Sequence, residues 1–183
     1  MSIAMTQSAG CESLTPEFED LFTEHYSLVY RTAYSVTGSR HDAEDVLQTI
    51  FLKLLQRELP PDALKNPKAY LYRAAVNQSL STVRLRKRTD LMDADIEVLE
   101  TPVKQTDTDE DDAIRRALLD AIATLKPPAV EILLLRYEHD CSDVEIARML
   151  GKSRGTIAVT LYRTRNRLKK LLRSAAVRKG EGR

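Results

Sequence analysis

The sequence predicts an all-α protein of two small helical domains joined by an acidic linker. Three observations predict this fold. Apolar residues recur at helical spacing in both halves of the chain, no strand pattern of useful length occurs, and ten acidic residues face one base between residues 90 and 112. We therefore divide the chain into a tail at 1–15, a domain at 16–89, the linker at 90–112, a smaller domain at 113–175 and a tail at 176–183.

The composition excludes several classes of protein. A chain of 183 residues with 43% hydrophobic and 30% charged residues can bury one or two small cores. Its two cysteines, Cys11 and Cys141, are too few for a disulfide framework and favour a reducing compartment. No secretory signal is visible, and the longest aliphatic run, residues 132–135, is far shorter than the ~20 residues that a membrane helix needs. We expect a cytoplasmic protein that does not insert into a membrane.

The first two helices are predicted by their end signals and by their apolar spacing. Pro16 suits the first turn of a helix, and Gly38 ends that helix. The second helix begins near Ser39 and has acidic side chains in its first turns, where negative charge suits the helix dipole. Its predicted buried stripe is Val46, Leu47, Ile50, Phe51, Leu54 and Leu55.

The third helix combines aromatic and basic side chains. Pro60 and Pro61 cannot continue the second helix, so residues 58–62 are predicted to form a loop. Asn66 then caps a helix that runs to about Arg88. Its polar and aromatic residues are Tyr70, Tyr72, Asn77, Arg84, Arg86, Lys87 and Arg88. Rings stack on unpaired bases and cations follow the backbone, so this helix suits single-stranded DNA.

The second domain contains a predicted helix-turn-helix. Ser142 and Glu145 have the spacing of a capping box, and Gly151 ends the short helix that they start. Ser153 is the predicted cap of a longer helix. A short helix, a tight glycine turn and a long helix, in this order, predict a DNA-reading motif.

The longer helix is apolar on one face and basic elsewhere. Its apolar stripe is Ile157, Leu161, Thr164, Leu168 and Leu171, and opposite it lie Gly155, Val159, Tyr162 and Asn166. Eight basic residues and no acidic one occur from Lys152 to Arg173. A surface of one sign attracts phosphates through counterion release, and residues near the helix start reach base edges in the major groove. The competing interpretation is an unrelated surface helix with a chance basic bias.

Three stretches resemble motifs of bacterial sigma factors, in particular of the small extracytoplasmic-function class. Residues 144–157, followed by Leu161–Arg163, resemble the family's second conserved domain. Residues 42–48, which read Asp-Ala-Glu-Asp-Val-Leu-Gln, and residues 70–77 resemble its first. The resemblance extends from about residue 18 to residue 172.

The resemblance implies a transcription factor without enzymatic activity or cofactor, whose partners are promoter DNA and the clamp helices and flap of core RNA polymerase. The implied polymerase contacts are Asp42, Asp45, Val46, Gln48, Thr49 and Leu52. The implied contacts with the minus-10 promoter element are Tyr70, Arg73, Asn77, Arg84, Arg86 and Lys87. The implied contacts with the minus-35 element are Lys152, Ser153, Arg154, Gly155, Thr156, Ala158, Val159, Tyr162, Arg163 and Arg165. The loop 57–66 is the candidate for holding a flipped base, and an anti-sigma factor is a further partner that the family allows.

Four residues depart from the usual family pattern around the helix-turn-helix. Ala158 and Val159 replace a polar pair, which leaves fewer hydrogen-bond donors for base edges, although a valine can contact a thymine methyl. Asp140 and Asp143 replace a glycine and an aromatic residue and place acid near the phosphates. We therefore expect this domain to bind DNA weakly on its own.

Several residues also have a plainer interpretation. The acids Asp42 and Glu44 suit the helix dipole without any partner, and Tyr70 and Leu71 are equally compatible with core positions. The linker, with a net charge of −9 from ten acids and one base, is either an RNA mimic in the polymerase cleft or a solvated tether.

Other classes of protein explain the sequence less well. His139 with Cys11 and Cys141 lacks the spacing of a zinc site, and the acids at 42–45 are explained by a helix start rather than by a metal-dependent nuclease. A stand-alone helix-turn-helix regulator is the serious alternative. It gives no purpose to residues 42–48 or to the tyrosines of the third helix.

Overall fold

The computed structural model describes residues 16–56, 60–93 and 109–180, and every regular element there is a helix. The eight helices in these ranges are α1 (Pro16–Thr37), α2 (Arg40–Leu55), α3 (Pro61–Lys65), α4 (Pro67–Asp93), α5 (Asp109–Ala123), α6 (Pro127–Tyr137), α7 (Asp143–Leu150) and α8 (Arg154–Gly180). The all-α prediction is confirmed. None of the helices described is both long enough and apolar enough to span a bilayer.

The first three long helices, α1, α2 and α4, pack around one core. Gly38 ends α1 in a left-handed conformation with φ of +68°, which glycine adopts without steric cost. Ser39 caps α2, and its hydroxyl accepts a hydrogen bond of 3.2 Å from the Asp42 amide. The core residues are Phe18, Leu21, Val29, Ala33, Ala43, Val46, Ile50, Phe51, Leu54, Leu71 and Ala75. Leu55, predicted to be buried, is exposed because it lies in the last turn of α2, outside this core.

A short helix replaces part of the predicted loop. Residues 61–65 form α3, so the prediction of a loop at 58–62 is wrong at its end, and residues 57–59 lie outside the described ranges. Pro61 is compatible with α3 because the first residue of a helix needs no amide hydrogen.

Helix α4 is longer than predicted. Asn66 caps it as expected, since its side-chain oxygen accepts a hydrogen bond of 3.1 Å from the Ala69 amide. The helix continues to Asp93 rather than ending near Arg88, because no glycine or proline follows to break it. The predicted linker therefore has helical residues at both ends, and residues 94–108 lie outside the described ranges.

The second half of the chain packs both on itself and on α4. Its buried hydrophobic residues are Ala121, Ile122, Ala123, Leu125, Val130, Ile132, Leu133, Leu134, Leu135, Ile146, Leu150, Ile157, Leu161 and Leu168. The same cluster includes Tyr72, Val76, Leu80 and Val83 of α4. Helix α4 is thus covered on two sides, by α1 and α2 and by the C-terminal helices.

Candidate nucleic-acid interface

The helix-turn-helix has the predicted caps. The Ser142 amide donates to the Glu145 carboxylate at 2.8 Å, and the Glu145 amide donates to the Ser142 hydroxyl at 3.3 Å. These hydrogen bonds from Ser142 hold the pKa of Glu145 below its usual range. Gly151 turns the chain with φ of +65°, and the Ser153 hydroxyl accepts from the Thr156 amide at 3.1 Å. The capping box and the Ser153 cap are confirmed.

Helix α8 divides into a buried and a free face as predicted. Ile157, Leu161, Thr164 and Leu168 are buried and Leu171 is half-buried. All ten residues implied at the minus-35 element are exposed: Lys152, Ser153, Arg154, Gly155, Thr156, Ala158, Val159, Tyr162, Arg163 and Arg165. The Arg165 guanidinium donates to the Tyr137 hydroxyl at 3.1 Å, so α6 positions it.

Two acidic residues near the helix-turn-helix, Asp140 and Asp143, were expected to weaken DNA binding. Asp143 has a carboxylate oxygen 4.0 Å from the Arg136 guanidinium, which partly offsets its charge. Asp140 has φ of +50°, in the left-handed region that favours glycine. Glycine would adopt this conformation at lower cost than aspartate does.

A second candidate surface lies on the open side of α4. Tyr70 and Asn77 line a cleft of about 450 Å³ between α2 and α4, with Pro60 at its edge. Across the cleft, the Lys53 ammonium donates to the Gln78 side-chain oxygen at 3.2 Å. Tyr70 is half-buried, and Asn77 is exposed. The cleft therefore offers one aromatic ring and several amide or ammonium donors next to Pro60.

Tyr72 does not belong to this surface. The sequence suggested it as a ring for stacking on bases, but its side chain is fully buried between α4 and α6. Its hydroxyl donates a 2.6 Å hydrogen bond to the Glu131 carbonyl. Burial raises its pKa, and the nearby Glu131 carboxylate adds to the rise. It is a packing residue.

The bases at the end of α4 are held by other parts of the chain. Arg84 donates to the carbonyls of Ala123 and Leu125 at 3.1 and 2.9 Å, where α5 ends. The Lys87 ammonium lies 2.6 Å from the Asp120 carboxylate of α5.

The remaining two cations of the minus-10 set, Arg73 and Arg86, also have acidic neighbours. Arg86 pairs with Asp42 at the start of α2. The acidic neighbour of Arg73 is Glu131. Burial raises the pKa of the Glu131 carboxyl, and the positive charges of Arg73 and Lys152 lower it. The expectation that Arg84, Arg86 and Lys87 are free to follow a DNA strand does not hold in this conformation, because each has an intramolecular partner.

All six predicted polymerase contacts lie on α2, and all but one have side chains that are at least partly exposed. Asp45, Gln48 and Leu52 are exposed, and Asp42 and Thr49 are half-buried. Val46 is only 1% exposed and lies in the core, so its side chain is not available to a partner.

An apolar cleft next to these residues was not predicted. It has a volume of about 560 Å³ and is lined by Phe18, Phe22, Gln48, Phe51, Leu52 and Leu55, among others. The exposed ring of Phe22 stacks on Tyr26 with 5.8 Å between centroids. The sequence gives only a weak indication of this cleft, because apolar residues beside a buried stripe are common on any helix.

His139 and Cys141 contact neighbouring polar groups, and Cys11 lies outside the described ranges. One ring nitrogen of His139 lies 3.3 Å from the Thr32 hydroxyl, and the Cys141 thiol points to the His139 carbonyl at 3.6 Å. Burial lowers the pKa of His139 and raises that of Cys141. Within the described ranges, no three His, Cys, Asp or Glu side chains converge as metal ligands.

Two family models match separate stretches of the chain. The family model of Sigma-70 region 2 matches residues 21–89, and that of Sigma-70 region 4 matches residues 115–168. The RNA polymerase sigma-E factor of Streptomyces coelicolor is 30% identical over 156 residues, which cover 85% of this chain and 86% of that protein. The ECF RNA polymerase sigma factor SigE of Mycolicibacterium smegmatis is 26% identical over 174 residues, covering 92% of this chain. The chain spans 66% of the length of that relative.

A solved structure is also similar. The sigma factor RpoE from Bartonella quintana, in complex with the anti-sigma factor NepR, has 24% sequence identity and a TM-score of 0.49. The match covers 86% of this chain and 97% of that one.

Proposed function

The chain belongs to the extracytoplasmic-function class of bacterial sigma-70 factors, and on that premise we propose that it binds core RNA polymerase and directs initiation at specific promoters. The observation that carries the proposal is the exposed, acid-free face of α8. It stands on a motif whose caps and buried stripe hold it rigidly against α6 and α7.

We assign the minus-35 element to α8. Residues 152–159 lie at its start, from which a recognition helix reaches base edges, and Arg163 and Arg165 lie one to two turns later, where phosphates run. Ala158 and Val159 supply no hydrogen bonds to bases, so the affinity of this domain alone is low. Core polymerase raises the effective affinity by holding both domains on one promoter.

We assign the minus-10 element to the cleft between α2 and α4. Tyr70 supplies a ring for stacking, and Asn77 and Lys53 supply donors for the edge of an extruded base. Pro60 lines the cleft, which supports the role that the family resemblance implies for the segment 57–66.

The exposed side of α2 is our candidate surface for the polymerase. Leu52 is 53% exposed, and with Phe22 and Leu55 it forms an apolar patch next to Gln48 and Asp45. An exposed apolar patch with polar residues at its rim is typical of protein interfaces. An anti-sigma factor is a third partner, which we propose on family membership alone.

Transcription in vitro tests the proposal. Purified chain is added to core polymerase and genomic DNA, and the transcript starts are mapped. We expect new starts that share two upstream elements. A stand-alone regulator would leave core polymerase without specific starts, and that result would contradict the proposal.

Two variants of α2 test the polymerase surface with a matched control. Leu52→Asp removes apolar contact and should weaken binding to core polymerase by about tenfold or more. Glu44→Ala changes an exposed residue of the same helix outside the patch and should leave binding unchanged. Equal binding by both variants would remove α2 from the interface.

A further inference from the structure

A third cleft lies where α1, α5, α6 and α8 meet. Its volume of about 550 Å³ is in the range of ~300–1,000 Å³ that is typical of small-molecule sites. Leu118 of α5, which is 37% exposed, lines it. Its most buried apolar residues, each at most 8% exposed, are Ile122, Leu133, Leu134 and Leu168. Helices α5, α6 and α8 therefore supply an apolar floor that an aliphatic chain can cover.

The same cleft has positively charged side chains in its lining. Arg115 of α5 and both Arg165 and Lys169 of α8 line it, and all three are exposed. Among the described residues that line the cleft, Glu138 is the one acid, and its carboxylate lies 3.6 Å from the Arg31 guanidinium. No ion pair of residues 16–56, 60–93 and 109–180 involves the three cations. The charge of the lining therefore favours an anion.

Two tyrosines hold the arginines of this cleft in place. The Arg115 guanidinium donates to the Tyr34 hydroxyl at 3.1 Å and lies 5.5 Å from the centre of the Tyr34 ring. The Arg165 guanidinium donates to the Tyr137 hydroxyl, also at 3.1 Å. A tyrosine hydroxyl carries no charge, and a guanidinium has five N–H donors. Each arginine is thus positioned by its tyrosine and keeps both its charge and further donors for a carboxylate.

We propose that this cleft binds a small amphipathic anion of the fatty-acid class: the aliphatic chain covers the apolar residues of α5, α6 and α8, and the carboxylate accepts hydrogen bonds from the arginines. The site is present in the free protein, so the inference does not depend on polymerase or on DNA. Arg165 also belongs to the proposed minus-35 set, and the substitutions that test the site therefore avoid it.

Three ligands test the site on the wild-type protein. The probe is decanoate, kept below its micelle concentration and titrated into the full chain by isothermal calorimetry. Decanol has the same chain without the charge, and butyrate has the same carboxylate with a short chain. We expect decanoate to bind about tenfold or more tightly than either. Absence of decanoate binding, or equal binding of decanol, would overturn the proposal.

A pair of neutralised arginines on α5 tests the role of the charge. Arg115→Gln removes a cation of the cleft, whereas Arg116→Gln removes the next cation along the chain, which is exposed and does not line the cleft. Arg115→Gln should weaken decanoate binding by about fivefold or more, and Arg116→Gln by less than about twofold. Equal effects would mean that decanoate is attracted by the charge of the surface in general, and would overturn the assigned site.

A second pair on α5 tests the position of the aliphatic chain. Leu118→Asp places a carboxylate in the cleft, and Ile114→Asp makes the same change one turn earlier, at an exposed residue that does not line it. We expect Leu118→Asp to weaken decanoate binding by about tenfold or more and Ile114→Asp to have little effect. Equal losses in the two variants would place the chain outside this cleft. Circular dichroism checks the folding of both variants, and the wild-type comparison of decanoate with decanol decides the case if either unfolds.

Discussion

The basic end of α4 and the basic face of α8 carry the same kinds of side chain in different surroundings. On α8, Arg154 and Arg163 face solvent, and the hydrophobic stripe behind them is fully packed. On α4, Arg84 and Lys87 are held by α5, and the face beside them is buried under the second domain. The difference shows that the same local charge leaves one helix face exposed and the other engaged in intramolecular contacts, which only the distant parts of the chain decide.

The largest effect should come from the support of the α8 face. Ile157 is fully buried, so Ile157→Ala leaves a cavity and should lower the free energy of unfolding by about 2–5 kcal/mol. Val159 is 48% exposed on the opposite face, and Val159→Ala should change that energy by less than about 0.5 kcal/mol. Urea denaturation followed by circular dichroism measures both. Similar losses in the two variants would mean that the face is not free.

A second pair of variants compares the two basic helices directly. Arg84→Ala leaves the carbonyls of Ala123 and Leu125 without their donor and should cost about 1–2 kcal/mol of unfolding free energy. Arg163→Ala removes an exposed cation without a partner in α5 or α6 and should be close to neutral. Thermal and urea unfolding check the prediction. A neutral Arg84→Ala would show that α5 does not depend on this contact.

Two glycines with positive φ, Gly38 and Gly151, allow the effect of packing against α5 on stability to be measured separately from backbone strain. Gly38→Ala and Gly151→Ala should each lose about 1–2 kcal/mol from backbone strain, because φ is +68° and +65°. Only Gly38 lies against α5, where the new Cβ meets Leu119. Gly38→Ala should therefore be the more destabilising of the two. Equal losses in unfolding free energy would argue against close packing at this corner.

The smallest effect should be the pH dependence due to His139. Its pKa lies below 6.5 because burial disfavours the charged ring and Arg31 and Lys68 repel it, while Glu138 acts in the opposite sense. Unfolding raises this pKa, so the stabilisation is complete above pH 6.5 and is lost as the pH falls below it. Relative to His139→Gln, wild type should lose stability as the pH falls through about 6.5.

The matched measurement is the difference between wild type and this variant at each pH. Glu131, whose pKa is raised by burial, titrates in the opposite sense. It is present in both proteins and cancels in the difference. A difference that is constant with pH would exclude His139 as the source.

The sequence predicts those features that depend on neighbours in the chain. Four residues each cap a helix by accepting a hydrogen bond from an amide three residues further on, so their signals are local: Ser39, Asn66, Ser142 and Ser153. The buried stripe of α8 follows from helical spacing alone. For the same reason, the core position of Val46 was already contained in the predicted stripe of α2.

The features that sequence reasoning missed depend on distant residues. In the sequence Arg84 has no visible partner, because the Ala123 carbonyl that accepts its hydrogen bond lies thirty-nine residues further along the chain, in α5. The sequence suggests that the Tyr72 ring stacks on bases, but in the structure α6 covers it. The helical end of α4 at Asp93 and the short helix α3 lack distinctive end signals. Packing between domains therefore accounts for most of the difference at the candidate site.

Distance measurement by double electron–electron resonance tests the central claim most directly. Nitroxide labels are placed at the exposed residues Ser27 of α1 and Ser174 of α8, in a variant with Cys11→Ser and Cys141→Ala. The packing of α5 and α6 against α1 and α4 predicts one narrow distance in the free protein. A broad distribution of distances would contradict it.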